Sequence, residues 1–305
     1  MPRRKSIRGG VIIGLDVGGT KVAGGLVTDA DEIVARRERS AVVDGLRDPG
    51  LAVTRLVAEE LADAARERGL QVIGISAGFP EYVDPAGWLR SHEVLAWTTQ
   101  PRDLLADIAP CSVDSDVRCA ALGEGVRGVA RGLASFAFVT VGTGLSYALV
   151  EDGQVRRGVR GEAIAFGELE VSRDVDASTT RSLERYASGR AIHERYVRQT
   201  GTEAHDAADV FRLAAAGDLT ARSIVDTAAG AIGAALATLV RILDPGAIVV
   251  GGGVSSSGEP WRSALQGSYL AKASARPDAP PVLWATLGSD AGIIGSAIAH
   301  RRRKP

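Results

Sequence analysis

Two stretches of the chain, one in each half, carry the same order of apolar and polar positions. Each begins with an apolar run, passes through a glycine-rich turn into a second run of β-forming residues, and ends at a polar turn; they cover residues 11–29 and 136–153. Apolar runs bounded by glycine turns are typical of β-strands. The pattern predicts a strand–glycine turn–strand unit in each half, and two such units suggest two related α/β domains.

Between these units, apolar residues recur at the spacing of an α-helix. Asp48 and Pro49 give the first predicted helix an N-cap and a first-turn proline, and Gly69 ends it. The predicted helices cover residues 51–68, 117–125, 183–200 and 220–243, and further buried strands are predicted at residues 71–77 and 247–250. Because strands alternate with helices, the pattern favours the α/β class.

Composition narrows the class of protein. Of the 305 residues 45% are hydrophobic, which is enough for a sizeable core and argues against a disordered or fibrous chain. Lys and Arg number 36 and Asp and Glu number 37, so a broad basic surface for nucleic acid is not expected. No apolar run reaches the length of a membrane span, and two cysteines are too few for a disulfide scaffold. We therefore expect a cytoplasmic protein that binds neither nucleic acid nor membrane.

The first glycine turn has the composition of a phosphate-binding turn. Asp16 stands at the end of the predicted strand, where its carboxylate could hold Mg²⁺ or the water around it. Glycines in the turn let backbone N–H groups approach a phosphate, and a hydroxyl and an ammonium group add further contacts. The alternative is a tight hairpin turn in which glycine only supplies positive φ. The turn residues are Gly18, Gly19, Thr20 and Lys21.

A second glycine turn in the other half favours the phosphate interpretation. It consists of Gly142, Thr143 and Gly144 and suits a phosphate chain held from both sides. Neither turn has the spacing of a Walker A loop or of a Rossmann fingerprint. A third glycine run, which includes Gly252 and Gly253, follows a buried strand and could pass beneath a nucleotide base or ribose.

Five blocks in a fixed order resemble a known family. They are Asp-Val-Gly-Gly-Thr-Lys at residues 16–21, Ser-Asp at 115–116 with Ala-Ala-Leu-Gly-Glu at 120–124, Val-Thr-Val-Gly-Thr-Gly at 139–144, Asp-Pro-Gly-Ala-Ile-Val-Val-Gly-Gly-Gly at 244–253, and Ser-Asp-Ala-Gly-Ile-Ile-Gly at 289–295. Over residues 11–299 the chain resembles the ROK family of sugar kinases and sugar-responsive regulators.

The resemblance implies an α/β architecture of the actin-like ATPase (hexokinase-type) fold, with two α/β domains and a cleft between them. ATP phosphates, with Mg²⁺, are then expected at the glycine turns, and a sugar or polyol substrate deeper in the cleft. We expect an N-terminal domain of residues 1–115, a C-terminal domain of residues 116–289, and a last helix at about 290–305 that packs back on the first domain. A homodimer is expected by the same resemblance.

Asp116 is the candidate catalytic residue. Family kinases carry an Asn-Asp pair whose aspartate accepts the proton of the sugar hydroxyl, and this chain has Ser115 before the aspartate. A carboxylate can orient a hydroxyl for in-line attack and remove its proton as the new bond forms. The alternative role for Asp116 is an N-cap of the helix that begins at Val117.

The expected sugar-binding residues depart from the family pattern. Where many relatives have Glu-x-Gly-His, this chain aligned on Gly167 has Ala165 and Glu168. Glu184 occupies the place of a glutamate that binds a hydroxyl in relatives, and Glu93, beside His92, stands where relatives place an asparagine. We expect Glu93, Glu168 and Glu184 to bind a substrate other than glucose, such as another polyol, a sugar that carries an amino group, or a cationic ligand.

The structural zinc of many relatives is not expected here. Its histidine corresponds to Glu168, and the segment that carries its cysteines in relatives, residues 172–182, contains none. Without thiolates or histidine, zinc lacks a ligand set.

Two functions remain in competition at this point. The first is an ATP-dependent sugar or polyol kinase of altered specificity. The second is a catalytically silent sugar-binding regulator that acts through a partner. Family repressors carry an N-terminal helix-turn-helix, for which the few residues before the first strand leave no room, so DNA binding through that module is not expected. An actin-like structural ATPase is the least favoured alternative.

Overall fold

The computed structural model describes residues 10–177, 181–273 and 278–303. The chain forms two compact units. The first runs to Gly132 and includes Val155–Ala163 and the segment from Ser289; the second comprises Leu133–Gln154 and Ile164–Gly288. The division lies after Gly132 and not at the expected position before Asp116, because the helix that begins at Asp116 packs on the C-terminal helix of the first unit.

The described strands and helices follow in this order along the chain. The strands are β1 (Val11–Val17), β2 (Lys21–Val27), β3 (Ile33–Ser40), β4 (Val42–Val43), β5 (Leu46–Arg47), β6 (Val72–Phe79), β7 (Cys111–Ser115), β8 (Ser135–Val141), β9 (Leu145–Glu151), β10 (Gln154–Val155), β11 (Ile248–Gly251) and β12 (Val282–Trp284). The helices are α1 (Ala52–Glu67), α2 (Pro101–Leu104), α3 (Asp116–Arg127), α4 (Leu183–Ala187), α5 (Gly189–Thr200), α6 (Ala207–Ala215), α7 (Leu219–Leu243), α8 (Trp261–Ala273) and α9 (Asp290–Arg302).

Each unit is built on a five-stranded sheet, and the two sheets have the same strand order. The first is β3-β2-β1-β6-β7 and the second is β10-β9-β8-β11-β12. In both, the strand before the glycine turn pairs antiparallel with the strand after it and parallel with the next strand of the sheet. The internal repeat predicted from the sequence is therefore confirmed.

The side chains of β1 point alternately to the two faces of the first sheet. Val11, Ile13 and Leu15 join the core under α1, while Ile12 packs with Ile293 of α9. Successive side chains of a strand point to opposite faces of the sheet. Asp16 therefore lies on the α9 face of the first sheet.

The core of the second unit surrounds α7, the longest helix among the described residues. By length and composition α7 could span a membrane, and it is the one described helix that passes this test. However, 72% of its most apolar window is buried inside the structure, as in the core helix of a globular unit.

Two predicted helices differ in detail from those observed. Residues 183–200 form α4 and α5 and not one helix, because Ser188 adopts an extended conformation and its side chain caps the Ala191 N–H. The first predicted helix begins at Ala52, after a 3-10 turn, and the Asp48 carboxylate accepts hydrogen bonds from the N–H groups of Val53 (2.7 Å) and Thr54 (3.2 Å). Asp48 thus caps this helix from a position further upstream than an ordinary N-cap.

Candidate active site

Asp16 lies near the carboxyl end of β1 and is held against the first turn of α9. A Cβ atom added to Gly292 would lie 2.5 Å from the Asp16 Cγ atom, so only glycine fits at this point of the helix. The Asp16 carboxylate, which is partly exposed, accepts no hydrogen bond from any described residue. A carboxylate with unoccupied lone pairs is the kind of ligand that Mg²⁺ prefers, so the residue fits the predicted metal role.

The charges around Asp16 come from neighbouring strands. Burial raises the pKa of Asp16 to about 6, while Lys21 and Arg36 act in the opposite direction. The Lys21 ammonium lies 3.3 Å from a Glu38 carboxylate oxygen, and a nitrogen of the Arg36 guanidinium lies 2.8 Å from the same oxygen. Lys21, which the sequence predicts to contact phosphate, is thus paired with Glu38 in this structure. Both cations are more than a third exposed, so an anion could compete for them.

The turn between β1 and β2 presents backbone donors. Gly18 donates its N–H to the Lys21 carbonyl at 2.9 Å, whereas Gly19 and Thr20 donate to no described residue. A Cβ atom on Gly19 would lie 2.7 Å from Val94. Two successive free N–H groups form the kind of concavity that binds anions.

Asp116 occupies the junction between β7 and α3. It is the first residue of the helix, and its Oδ1 atom accepts hydrogen bonds from the Val117 N–H (2.6 Å) and the Ser115 hydroxyl (3.3 Å). An N-cap side chain binds the second or third N–H after it, and the Asp116 carboxylate bonds the first. The alternative role as an ordinary N-cap is therefore not supported by the geometry.

Asp116 also has the electrostatics of a base that works near neutral pH. Burial and, second, the negative charge of Asp16 raise the pKa of Asp116 to about 7. Such a carboxylate exists in both forms near neutral pH, as general acid–base catalysis requires. Because the charge of Asp16 acts on the pKa of Asp116, the structure places these two predicted residues near each other in the first unit.

Glu93 lies on a loop that is organised by Glu81, a residue that was not anticipated from the sequence. The buried Glu81 carboxylate accepts N–H groups of Glu93 (2.8 Å), Val94 (2.9 Å) and Leu95 (2.8 Å), and the Ser91 hydroxyl at 2.5 Å. The Glu93 side chain is exposed. Glu81 stands just beyond the end of β6, and an acid after a predicted strand, as at Asp16, is the sequence signal that could have indicated it.

The same loop carries an aromatic pair. The rings of His92 and Trp97 stack with their centroids 4.2 Å apart, and the Trp97 indole N–H donates to the Ser91 carbonyl at 2.8 Å. The loop around Glu93 is therefore ordered by both backbone and ring contacts.

In the second unit, the turn between β8 and β9 repeats the free-donor arrangement. Gly142 donates its N–H to the Gly144 carbonyl at 3.0 Å, while Thr143 and Gly144 donate to no described residue. Glu184 lies against this turn: its Oε2 atom accepts the Leu145 N–H at 2.8 Å and would lie 2.7 Å from a Cβ atom on Gly144. One carboxylate oxygen of Glu184 is thus committed to the turn.

The remaining predicted residues of the second unit surround this turn. Gly252 has φ +88°, and a Cβ atom there would lie 2.4 Å from the Val141 carbonyl oxygen. The Gly253 nitrogen would lie 4.0 Å from a Cβ atom on Gly142, so the two glycine turns are neighbours. The exposed Glu168 belongs to a 3-10 turn, Phe166–Glu168, whose Gly167 would carry a Cβ atom 3.2 Å from a Glu184 oxygen.

No group of three metal-ligating side chains occurs among the described residues. Residues 178–180 of the segment that binds zinc in relatives lie outside them. The expected absence of zinc stays a prediction.

The two sheets have the same strand order, and each contains a strand–glycine turn–strand unit whose turn has free backbone donors. This arrangement is that of the actin-like ATPase (hexokinase-type) fold. The sequence profile of the ROK family matches residues 12–303. The chain belongs to the ROK family.

Known proteins similar to this chain support the assignment. A glucokinase from Halalkalibacterium halodurans is 32% identical over 308 residues, which cover 93% of this chain and 92% of the relative. The bifunctional enzyme NanE/NanK of Brucella suis is 41% identical over 192 residues, covering 62% of this chain and 34% of that enzyme. A ROK family glucokinase from Streptomyces griseus, in complex with glucose and AMPPNP, is 28% identical and has a TM-score of 0.79, covering 96% of this chain and all of that one (100%).

Proposed function

We propose that this protein is an ATP-dependent kinase that transfers the γ-phosphoryl group of ATP to a hydroxyl group of a sugar or related polyol. The observation that carries the proposal is Asp116, a half-buried carboxylate at a strand–helix junction whose pKa is raised to about 7. The family and its glucokinase members support the same class of reaction.

In the proposed reaction, Asp116 orients the acceptor hydroxyl and takes its proton. The hydroxyl oxygen forms a bond to the γ-phosphorus as the bond from that phosphorus to its bridging oxygen breaks, and ADP leaves. Asp16 would hold the magnesium ion that accompanies ATP, either directly or through water. When bound, that ion supplies positive charge to the phosphate oxygens. The ammonium group of Lys21 exchanges its contact with Glu38 for a phosphate oxygen.

The glycine turns contribute backbone donors and not side chains. The N–H groups of Gly19 and Thr20 in the first unit, and of Thr143 and Gly144 in the second, are free to bind phosphate oxygens. Gly252 and Gly253 lie beside the second of these turns, which supports a role near the nucleotide. These donors need no reorganisation before they bind an anion, because the turns already present them.

We further propose that the preferred acceptor is not glucose. Ala165 removes a carboxylate that grips sugar hydroxyls in many relatives, and Glu168 replaces a histidine. Glu93 and Glu168 are exposed on their own units, and Glu184 keeps one carboxylate oxygen beyond its bond to Leu145. Carboxylates accept hydrogen bonds from hydroxyl groups and attract ammonium groups, so a polyol or an amino-bearing sugar suits them.

The experiment is a panel of acceptors with ATP and Mg²⁺. ADP release is measured with glucose, mannose, N-acetylmannosamine, glucosamine, fructose and sorbitol at equal concentrations. The proposal expects transfer to at least one of them and a slower rate with glucose than with that acceptor. Transfer to glucose at the highest rate in the panel would contradict the altered specificity.

A sugar-binding regulator is the second candidate, and the loss of the carboxylate at Ala165 is the observation that favours it. A sugar from the panel that binds by calorimetry and accepts no phosphoryl group would support it. We also propose a cytoplasmic homodimer without nucleic-acid, membrane or zinc partners; sedimentation and metal analysis of the purified protein test the dimer and the zinc.

A further inference from the structure

A buried ion pair encloses the proposed base. Asp114 and Arg118 lie two residues before and two residues after Asp116, and the side chains are 2% and 0% exposed. The Arg118 Nε atom lies 2.6 Å from the Asp114 Oδ1 atom. The pair therefore closes the strand–helix turn, with Asp116 at its middle.

Arg118 also ties this turn to two backbone segments of the same unit. Its two terminal nitrogens donate to the Val83 carbonyl at 2.8 Å and to the Gly161 carbonyl at 3.3 Å. These segments themselves meet closely, because a Cβ atom on Gly161 would lie 2.0 Å from the Val83 carbonyl oxygen. The guanidinium thus donates two hydrogen bonds from its terminal nitrogens and is paired in charge with Asp114, and a lysine ammonium lacks this fixed planar fork.

The other carboxylate oxygen of Asp114 is held from a different side. Arg157 donates to its Oδ2 atom from Nε at 3.1 Å and from a terminal nitrogen at 2.6 Å. Both oxygens of Asp114 are therefore engaged, and the surrounding arginines hold the pKa of this carboxyl below its usual range. The Asp114 carboxylate, two residues before Asp116, is thus held by Arg118 at one oxygen and by Arg157 at the other.

Stability alone is a weak reason for such a cluster. Replacing a buried ion pair by apolar residues of similar volume is often neutral or stabilising, because desolvation offsets the attraction between the charges. Precise placement of a neighbouring catalytic group is a stronger reason, since a 1 Å displacement of such a group can cost about a hundredfold in rate.

We propose that Arg118 is a positioning residue for Asp116: by closing the Asp114–Arg118 turn and anchoring it to the carbonyls of Val83 and Gly161, it holds the base in the geometry that phosphoryl transfer needs. The inference rests on the proposed kinase function. Arg118 acts through the backbone of the turn, and it touches neither substrate nor phosphate in this role.

The test uses four variants of the full chain. Arg118→Met removes the anchor and leaves the buried Asp114 carboxylate without it. Asp114→Asn combined with Arg118→Met removes both charges of the buried pair, so among the described residues the only charge that loses a hydrogen-bonded carboxylate is that of the partly exposed Arg157. Arg118→Lys keeps only the ion pair. Arg55→Met is the matched control, since Arg55 also binds a carboxylate, that of Asp107, and the Leu104 carbonyl, at the surface of the same unit.

The first readout is kcat per nucleotide-binding site, with sites counted by ATP titration and with the acceptor that the wild type phosphorylates fastest. We expect kcat to fall at least about tenfold in the double variant, with partial recovery in Arg118→Lys and with the dissociation constant of ATP changed by less than about twofold. The control should keep wild-type kcat. A double variant whose kcat per site stays within about twofold of the wild type would overturn the proposal.

The second readout does not need activity. The Val117 N–H donates to Asp116 Oδ1, so its hydrogen exchange reports whether the carboxylate keeps its place. Exchange at Val117 should accelerate at least about tenfold in the double variant, while the later turns of α3 stay protected. Unchanged exchange at Val117 also contradicts the positioning role. If the wild type phosphorylates no acceptor, the proposed function fails, and this readout still decides the role of Arg118.

Discussion

Raising the pH from 6 to 8 should increase the rate of phosphoryl transfer about tenfold, because the base must be ionised to accept a proton. With a pKa of about 7, Asp116 is about one-tenth ionised at pH 6 and about nine-tenths ionised at pH 8. An aspartate at its ordinary pKa would be fully ionised at both values and would give no change. The size of the effect therefore measures how far burial and the charge of Asp16 raise the pKa of Asp116.

The assay is ADP release at low ATP and acceptor concentrations, where the rate reports the ionisation of the unliganded protein. Coupling enzymes are doubled at each pH to show that they do not limit the rate. The residual activity of Asp116→Asn is the control and should rise no more than about twofold between pH 6 and pH 8, since of the two carboxylates only Asp16, with a pKa of about 6, still titrates there. A wild-type rate that is flat, or that falls, over this range would refute the assignment of Asp116 as a base with a raised pKa.

Four further results are expected. Asp116→Asn should raise the melting temperature at pH 8 and not at pH 4, since a carboxyl whose pKa is raised on folding weakens the folded state once the pH exceeds its unfolded value; equal melting temperatures at pH 8 would contradict this. Gly292→Ala should lower kcat at least about tenfold by displacing Asp16, whereas Gly230→Ala, which meets no atom within 4 Å, should not; equal rates would contradict the contact. Gly142→Val should weaken ATP binding at least about tenfold in calorimetry without unfolding the protein, because no atom lies closer than 4.0 Å to the added Cβ; undiminished affinity would remove this turn from the nucleotide site. Protein purified without added metal should contain less than one zinc per chain, and a chelator should leave its melting temperature unmoved.

The sequence was most informative where the pattern was local. The strand–glycine turn–strand repeat and the long helix α7 follow from the spacing of apolar residues and from the turn residues that bound each element. These signals lie within a few residues of each other in the sequence. Asp16 could be found because it is an acid at the end of a predicted strand. Asp116 was found through the Ser-Asp pair at residues 115–116, which resembles the Asn-Asp pair of family kinases, and the strand before it, β7, was not predicted.

The contacts that could not be predicted join residues distant in sequence. Apolar residues at helical spacing continue through Ser188, but the helix is interrupted at that residue. The Gly189 N–H instead donates a hydrogen bond to the Gly142 carbonyl at 2.8 Å. Glu81 organises a loop that begins ten residues later, and no local pattern signals that partnership. Glu184 was predicted as a hydroxyl contact, which stays a prediction, and its bond to the Leu145 N–H was not anticipated.

The most direct test of the account compares the wild type with Asp116→Asn in the presence of ATP, Mg²⁺ and the best acceptor of the panel. The account predicts that the wild type forms ADP and a phosphorylated acceptor in equal amounts, as measured by mass spectrometry. It predicts that the variant binds ATP with unchanged affinity while its turnover falls by about 10²–10⁴. Turnover in Asp116→Asn within a few-fold of the wild type, or a wild type that transfers no phosphoryl group to any acceptor, would contradict it.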